Sequence, residues 1–173
     1  MKLRTNMDPL NVPLNVPIRY IPKSLTQKDL AKQKRELRKS RKLYKSKKYY
    51  TRAHIASFKS RKSRHLKHAE KLYGVEHIAP SKELAKKTKC SQDTLEKIVS
   101  KGRGAYFSSG SRPNQTAESW GIARLASAVT GGNASIVDFH LLHAGCKPTS
   151  TALRLARKTC KKQNKCQKYL DKH

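Results

Sequence analysis

Asp138, His140, His143 and Cys146 lie within a nine-residue window. These are the residue types from which a nucleophile, its base and a supporting carboxylate are assembled. A helix through this stretch would spread them over several faces, and groups so close in sequence rarely converge on one reacting atom. No catalytic residue is assigned, and His140 reads as a core or surface histidine. Cys146, Cys160 and Cys166 with His143 are zinc-ligand types, but no Cys-x-x-Cys pair is present, so no metal and no cofactor is assigned. In one continuous helix Cys160 and Cys166 would stand about 9 Å apart along the axis. That is beyond disulfide reach, and reduced thiols in an intracellular setting are expected.

The chemistry best supplied is cationic. Lys34, Arg35, Arg38, Lys39, Arg41 and Lys42 crowd one stretch, and Arg61, Lys62 and Arg64 follow it. Tyr49, Tyr50 and Phe58 lie between the two groups, an interleaving that suits phosphate contact with base stacking. A solvated basic surface accounts for the same residues. Ser57, Ser60 and Ser63, set among these cations, could accept phosphate and cancel local charge. Lys101–Thr116 holds three glycines and three serines with Arg103 and Arg112. Its amides, hydroxyls and guanidinium groups could form a second anion site. The stretch lacks the Lys-Ser/Thr ending of a P-loop, which argues against nucleotide hydrolysis. The plain alternative is a structured turn packed on Trp120.

Residues 83–98 have helix-turn-helix spacing, with Ser81 and Ser91 as caps, small Ala85 and Cys90 at the turn, and Leu95 and Ile98 closing the core. Lys89 stands where such turns usually carry glycine. If the unit reads DNA, Gln92, Thr94 and Lys97 should face the major groove, although Asp93 and Glu96 would be repelled by phosphates. A structural helix pair fits equally well.

The elements that position these groups are predicted to be helical throughout, so the fold expected is all-α. Thr26 caps a helix reaching about Lys47 with a narrow Leu30–Leu37–Tyr44 seam. A second helix spans Ser63–Tyr73 and stops at Gly74. The helix from Ser91 is expected to end at Gly102. Another runs from Thr116 to Val129. Asn133 starts one that stops near Gly145, with a short strand over 135–142 as the alternative. Ser150 caps the last, with Leu153, Ala156 and Cys160 inward. Before them, Pro-Leu-Asn-Val repeats between Pro9 and Pro17, and proline every fourth residue blocks helix. This arm either docks in a partner's groove or stays disordered.

The 173 residues carry 40 Lys and Arg against 11 Asp and Glu, a net +29. That excess would match the charge on about 50 Å of duplex DNA. No run is apolar enough to span a membrane, and the prolines replace the apolar centre of a secretory signal. Charge is concentrated in residues 23–72 (19 basic, 3 acidic) and 152–173 (8 basic, 1 acidic). Four segments follow: an extended arm (1–22), a basic helical segment (23–74), a compact helical core (75–151) and a basic C-terminal tail (152–173).

The segment from Tyr20 to about Lys158 resembles an uncharacterised protein family of large DNA viruses, including algal viruses of the chlorovirus type. The resemblance rests on Ile21–Leu25, on Ser57–Ser60, and above all on Gly104–Thr116 with Ser119–Ser127. It implies a virus particle or its assembly and carries over no activity. The expectation is a non-enzymatic virion structural protein, a minor capsid or inner-particle component, present in the host cell interior during assembly. Its partners would be acidic viral capsid proteins, double-stranded DNA, or both. The alternatives are a DNA-binding regulator using residues 81–99 and a nucleic-acid-processing enzyme.

Overall fold

In the computed structural model, which describes residues 14–170, Thr26 opens the first helix by accepting the Asp29 amide on its hydroxyl at 3.3 Å. Helix α1 spans Gln27–Lys45 and turns Asp29, Gln33, Leu37 and Ser40 inward. Their spacing puts all four on one face. The Pro9–Pro13 half of the proline repeat lies outside the described residues. Among the described residues there are nine α-helices, a 3-10 turn at Ile18–Tyr20 and no strand, so the fold is all-α. No helix among them is long and apolar enough to cross a membrane.

The chain divides into two units. The first contains the described residues up to Ser60 together with Ala105–Thr116. Here α1 carries an irregular segment over 47–60 and the loop 109–116, and Tyr20, Leu37, Ile55 and Tyr106 are buried. Gly110 adopts φ +114°, and a Cβ there would lie 2.7 Å from the Leu37 side chain. Only glycine meets both demands.

The second unit contains Arg61–Gly104 and the described residues from Ala117 onward. Its helices are α2 (Arg64–Tyr73), α3 (Lys82–Thr88), the first part of α4 (Gln92–Ser108), α5 (Ala117–Val129), α6 (Asn133–Val137), α7 (Phe139–Gly145), α8 (Thr151–Lys162) and α9 (Gln167–Leu170). Leu84, Leu95, Ile98, Val99, Leu125, Phe139, Leu142 and Leu153 form its core. Helix α5 packs against α2, α6 and α8. Ser63, Ser81 and Ser150 cap α2, α3 and α8 with their hydroxyls, and Gly74 closes α2 in the left-handed conformation.

The two compact units divide after Ser60, where 47–60 lies along α1 and α2 packs on α5. Several expectations are corrected. Helix α4 does not stop at Gly102 but continues through Gly104 to Ser108. Gly102 is a crossing point: a Cβ there would lie 2.6 Å from the Gly121 Cα on α5. The stretch after Asn133 is two short helices broken at Asp138, and Gly132, not Asn133, holds the cap position. The cysteines are paired. Cys90 bonds Cys146, with Cα atoms 3.9 Å apart, and Cys160 bonds Cys166, with Cα atoms 5.7 Å apart. The one-helix geometry fails because α8 ends at Lys162. Asn164 and Cys166 then take positive φ, and the Lys165 amide donates back to the Cys160 carbonyl.

Candidate polyanion interface

The inward face of α1 is polar, and its groups hold the chain that lies on it. Asp29 accepts the Ser57 amide at 2.7 Å. Glu36 accepts the Ala53 amide at 2.7 Å and the Tyr50 hydroxyl at 2.9 Å. Gln33 donates to the Tyr20 carbonyl at 2.9 Å. The Ser57 amide holds the Asp29 carboxyl below its ordinary pKa. Both carboxylates of α1 are thus spent on backbone amides and a hydroxyl, not on the lysines and arginines around them.

From the other side the segment is gripped by Tyr106–Asn114. Asn114 accepts the Ile55 amide at 2.7 Å and donates to the carbonyls of Ile55 and Phe58 at 3.0 and 3.2 Å. Arg52 lies 3.7 Å above the centre of the Tyr106 ring. Its guanidinium donates to Ser40 Oγ (2.9 Å), the Tyr106 carbonyl (2.7 Å) and Ser111 Oγ (2.6 Å). Removal from water lowers its pKa from the usual arginine value. The stretch read as an anion-binding loop is therefore half helix and half clamp. Its Tyr106–Asn114 part packs within the first unit on Leu37, Tyr20 and the 52–58 segment.

With Asp29, Gln33, Leu37 and Ser40 inward, helical periodicity turns Lys34, Arg35, Arg38, Lys39, Arg41 and Lys42 to the remaining sides of α1. Lys39 sits 4.2 Å above the Tyr50 ring, and Arg41 donates to the Asn15 carbonyl at 3.4 Å. Arg35 and Lys42 are exposed, with no partner among the described residues. The described part of this unit carries 16 Lys and Arg against two carboxylates, Asp29 and Glu36. Its charged surface groups are thus almost all cationic.

The other predicted groups lie elsewhere. Arg61, Lys62 and Arg64 belong to the second unit, where Lys62 pairs with Glu70 at 2.8 Å. Arg103 bridges Glu118 at 2.6 Å and Glu96 at 2.7 Å, and these hydrogen bonds raise its pKa. Arg112 is exposed and belongs to the first unit. Arg103 and Arg112 thus fall in different units, and Arg103 is turned toward Glu96 and Glu118 of its own.

The helix-turn-helix unit exists as α3, a turn at Lys89–Ser91 and α4, with Lys89 at φ 56°. Of the predicted reading face, Gln92 and Lys97 are exposed and Thr94 is not. Thr94 is only 5% exposed. Its hydroxyl accepts from Ser91 at 2.8 Å, and its side chain lies directly against Gly145, where a Cβ would collide with it. Gln92 donates to the Pro80 carbonyl at 3.0 Å, and Lys97 pairs with Asp93 at 2.6 Å. Nor do Asp138, His140, His143 and Cys146 act together. Asp138 is fully buried under a two-pronged contact from Arg124 (2.7 and 2.8 Å), with Lys101 at 3.1 Å, and Cys146 is in a disulfide. Among the described residues no group of three His, Cys, Asp or Glu could hold a metal.

Arg52, Asp29, Glu36 and Asn114 were not singled out by the sequence reading. The available signal was that Arg52 is the one Lys, Arg, Asp or Glu between Tyr49 and Phe58. A lone arginine in a neutral, aromatic-flanked stretch fits a planar, hydrogen-bonded role better than a solvated one.

No curated protein and no solved structure matches the chain. A family model matches residues 17–140, which run from the 3-10 turn through α6 and include α1 and its clamp, so the chain belongs to the family of unknown function DUF5824.

Proposed function

We propose that this is a non-enzymatic, basic structural protein of a virus particle that holds packaged double-stranded DNA through the outer face of α1. The observation that carries this reading is the inward use of both α1 carboxylates. Asp29 and Glu36 bind the returning segment, which leaves Lys34, Arg35 and Lys42 without a carboxylate partner among the described residues. A helix so charged is held by its clamp, not by its own propensity, and gains stability when an external polyanion relieves its self-repulsion. The resemblance to proteins of large DNA viruses supports the particle setting. The burial of Thr94 argues against sequence-specific reading, so binding is to the phosphate backbone.

The test is the salt dependence of duplex binding. The full chain should bind unrelated sequences equally, with affinity falling steeply as salt rises. Substituting Lys34, Arg35 and Lys42 together by alanine should make the log–log slope shallower by about 3. A flat salt response, or a slope untouched by the substitutions, would overturn the reading. Crosslinking from position 35 or 42 inside intact particles should capture DNA, and capture of acidic capsid protein alone would replace DNA as the partner.

A further inference from the structure

Helix α8 is amphipathic in a way that α1 is not. Ala152, Leu153, Ala156 and Cys160 are buried in the core of the second unit. Arg154, Arg157, Lys158 and Lys161 line the opposite side at the spacing of one helical face. With Pro148, Thr149 and Ser150 they enclose an open depression of about 500 Å³. None of the four cations is in an ion pair with a described carboxylate, and α8 itself contains no Asp or Glu.

The floor of this depression is built and held. Ser150 is fully buried, its hydroxyl donates to the Thr88 carbonyl at 2.6 Å, and it accepts the Leu153 amide at 3.2 Å. The Lys147 amide donates to the Lys89 carbonyl at 2.9 Å, and the Cys90–Cys146 bond fixes the adjoining residues. Lys89 reaches Thr149 Oγ1 at 3.5 Å and adds a fifth cation at the edge. Four cations without a carboxylate partner among the described residues are therefore presented on a preformed surface, so little ordering opposes binding.

We infer that this depression is a second phosphate-binding site, occupied by the backbone of a nucleic-acid strand and independent of α1. From Arg154 to Lys161 the cations extend about 10 Å along the helix. One strand of a duplex presents a phosphate roughly every 3.4 Å of axis, so the strip matches about three successive phosphates. A protein partner would require an apolar anchor at the centre of its contact. Pro148 is the only apolar residue lining this one. The site rests on the reading above for the identity of the polyanion, but its residues share nothing with α1.

The experiment compares two sets of substitutions in the full chain, by duplex-DNA binding across a salt series. Alanine at Arg154, Arg157, Lys158 and Lys161 should make the log–log slope shallower by about 3 to 4. Alanine at Lys67, Lys71 and Lys82, all exposed in the same unit, should change it by less than about 1. Unchanged helical circular dichroism and thermal midpoint establish that both variants fold. Arg154→Lys with Arg157→Lys in the otherwise unchanged chain should keep most of the slope, since point charges suffice for phosphate. Equal effects of the two sets would reduce the site to diffuse charge and overturn it. An α8 set that changes nothing, while the α1 set still weakens binding, would overturn this site and leave the α1 reading standing. No DNA binding by the full chain would end both. Binding of poly-glutamate as tight as that of duplex DNA, with the same dependence on α8, would replace phosphate by carboxylate and overturn the assignment.

Discussion

Replacing Arg52 by alanine removes the centre of the clamp and should destabilise the first unit by about 3–4 kcal/mol. Three hydrogen bonds from a charged donor are lost, each worth about 1.5–3 kcal/mol when deleted singly. The contact with the Tyr106 ring, 3.7 Å from the guanidinium carbon, adds about 1–2 kcal/mol in a desolvated setting. These do not sum. Ser40 and Ser111 keep alternative partners in the Phe107 and Arg112 carbonyls, so only the Tyr106 carbonyl is stripped outright. The cost of drawing Arg52 out of water is also recovered. Lysine at this position keeps a charge near the ring but loses the planar fork, and should cost about 2 kcal/mol. The assay is urea unfolding combined with amide exchange. The amides of Ala53, Ile55 and Ser57 are bound to Glu36, Asn114 and Asp29, and they should lose roughly 100-fold in protection, as about 3 kcal/mol requires. Arg52→Ala should leave the salt slope for DNA unchanged once folding is allowed for, because this arginine faces inward. A loss below about 0.5 kcal/mol, the range of ordinary surface changes, would refute the reasoning and make Arg52 one more solvated cation.

Gly102→Ala should destabilise the second unit by about 1–3 kcal/mol, since its Cβ would meet the Gly121 backbone at 2.6 Å, and denaturant midpoints will show it. Gly104→Ala, two residues on in the same helix with nothing within 4 Å of the new methyl, should instead stabilise by about 0.5–1 kcal/mol. Reducing the Cys90–Cys146 bond, which spans 56 residues, should cost about 4 kcal/mol by loop-closure entropy, read as the difference in unfolding free energy with and without reductant for a chain lacking the other pair. Asp29 has its folded pKa depressed, so its contribution is complete above the unfolded carboxyl value and is lost as pH falls through the folded one. Protection of the Ser57 amide should therefore drop on acidification below the usual carboxylate range, and Asp29→Asn should abolish that pH dependence.

Much of the fold was legible because it is written in local chemistry. Thr26, Ser63, Ser81 and Ser150 begin helices as their hydroxyls suggested, and Gly74 ends one. What failed depended on contacts distant in sequence. Gly102 looks like a stop because glycine disfavours helix, yet the close approach of Gly121 outweighs a penalty of about 1 kcal/mol. Thr94 looks like a reading residue because α4 begins beside it. Its burial is set by Gly145, which no local pattern reveals. Cys160 and Cys166 seemed out of reach only while α8 was extended past Lys162. Arg35, Lys39 and Lys42 were legible as exposed because the helical count places them opposite Leu37, whereas Lys34, Arg38 and Arg41 lie nearer its side and are half-buried. That their carboxylate neighbours are diverted elsewhere was not, because Ser57 and Ala53 lie far along the chain.

The most distinctive string in the sequence therefore serves the architecture of the first unit. Between Tyr106 and Asn114, the ring and carbonyl of Tyr106 receive Arg52, Gly110 admits Leu37, Ser111 accepts the guanidinium, and Asn114 holds Ile55 and Phe58. Each task tolerates one side chain, which is why the string is so particular. The cations proposed to meet the partner answer to a weaker demand. A phosphate strip accepts any lysine or arginine within reach, and losing one shifts binding by a single contact. Substitutions in the clamp should thus abolish folding of the first unit in steps of several kcal/mol, whereas substitutions on α1 and α8 should erode binding gradually and additively. On the proposed function, sequence distinctiveness and partner contact are borne by different residues: the clamp sets the shape of the α1 surface, and its charge can be supplied by many combinations of lysine and arginine.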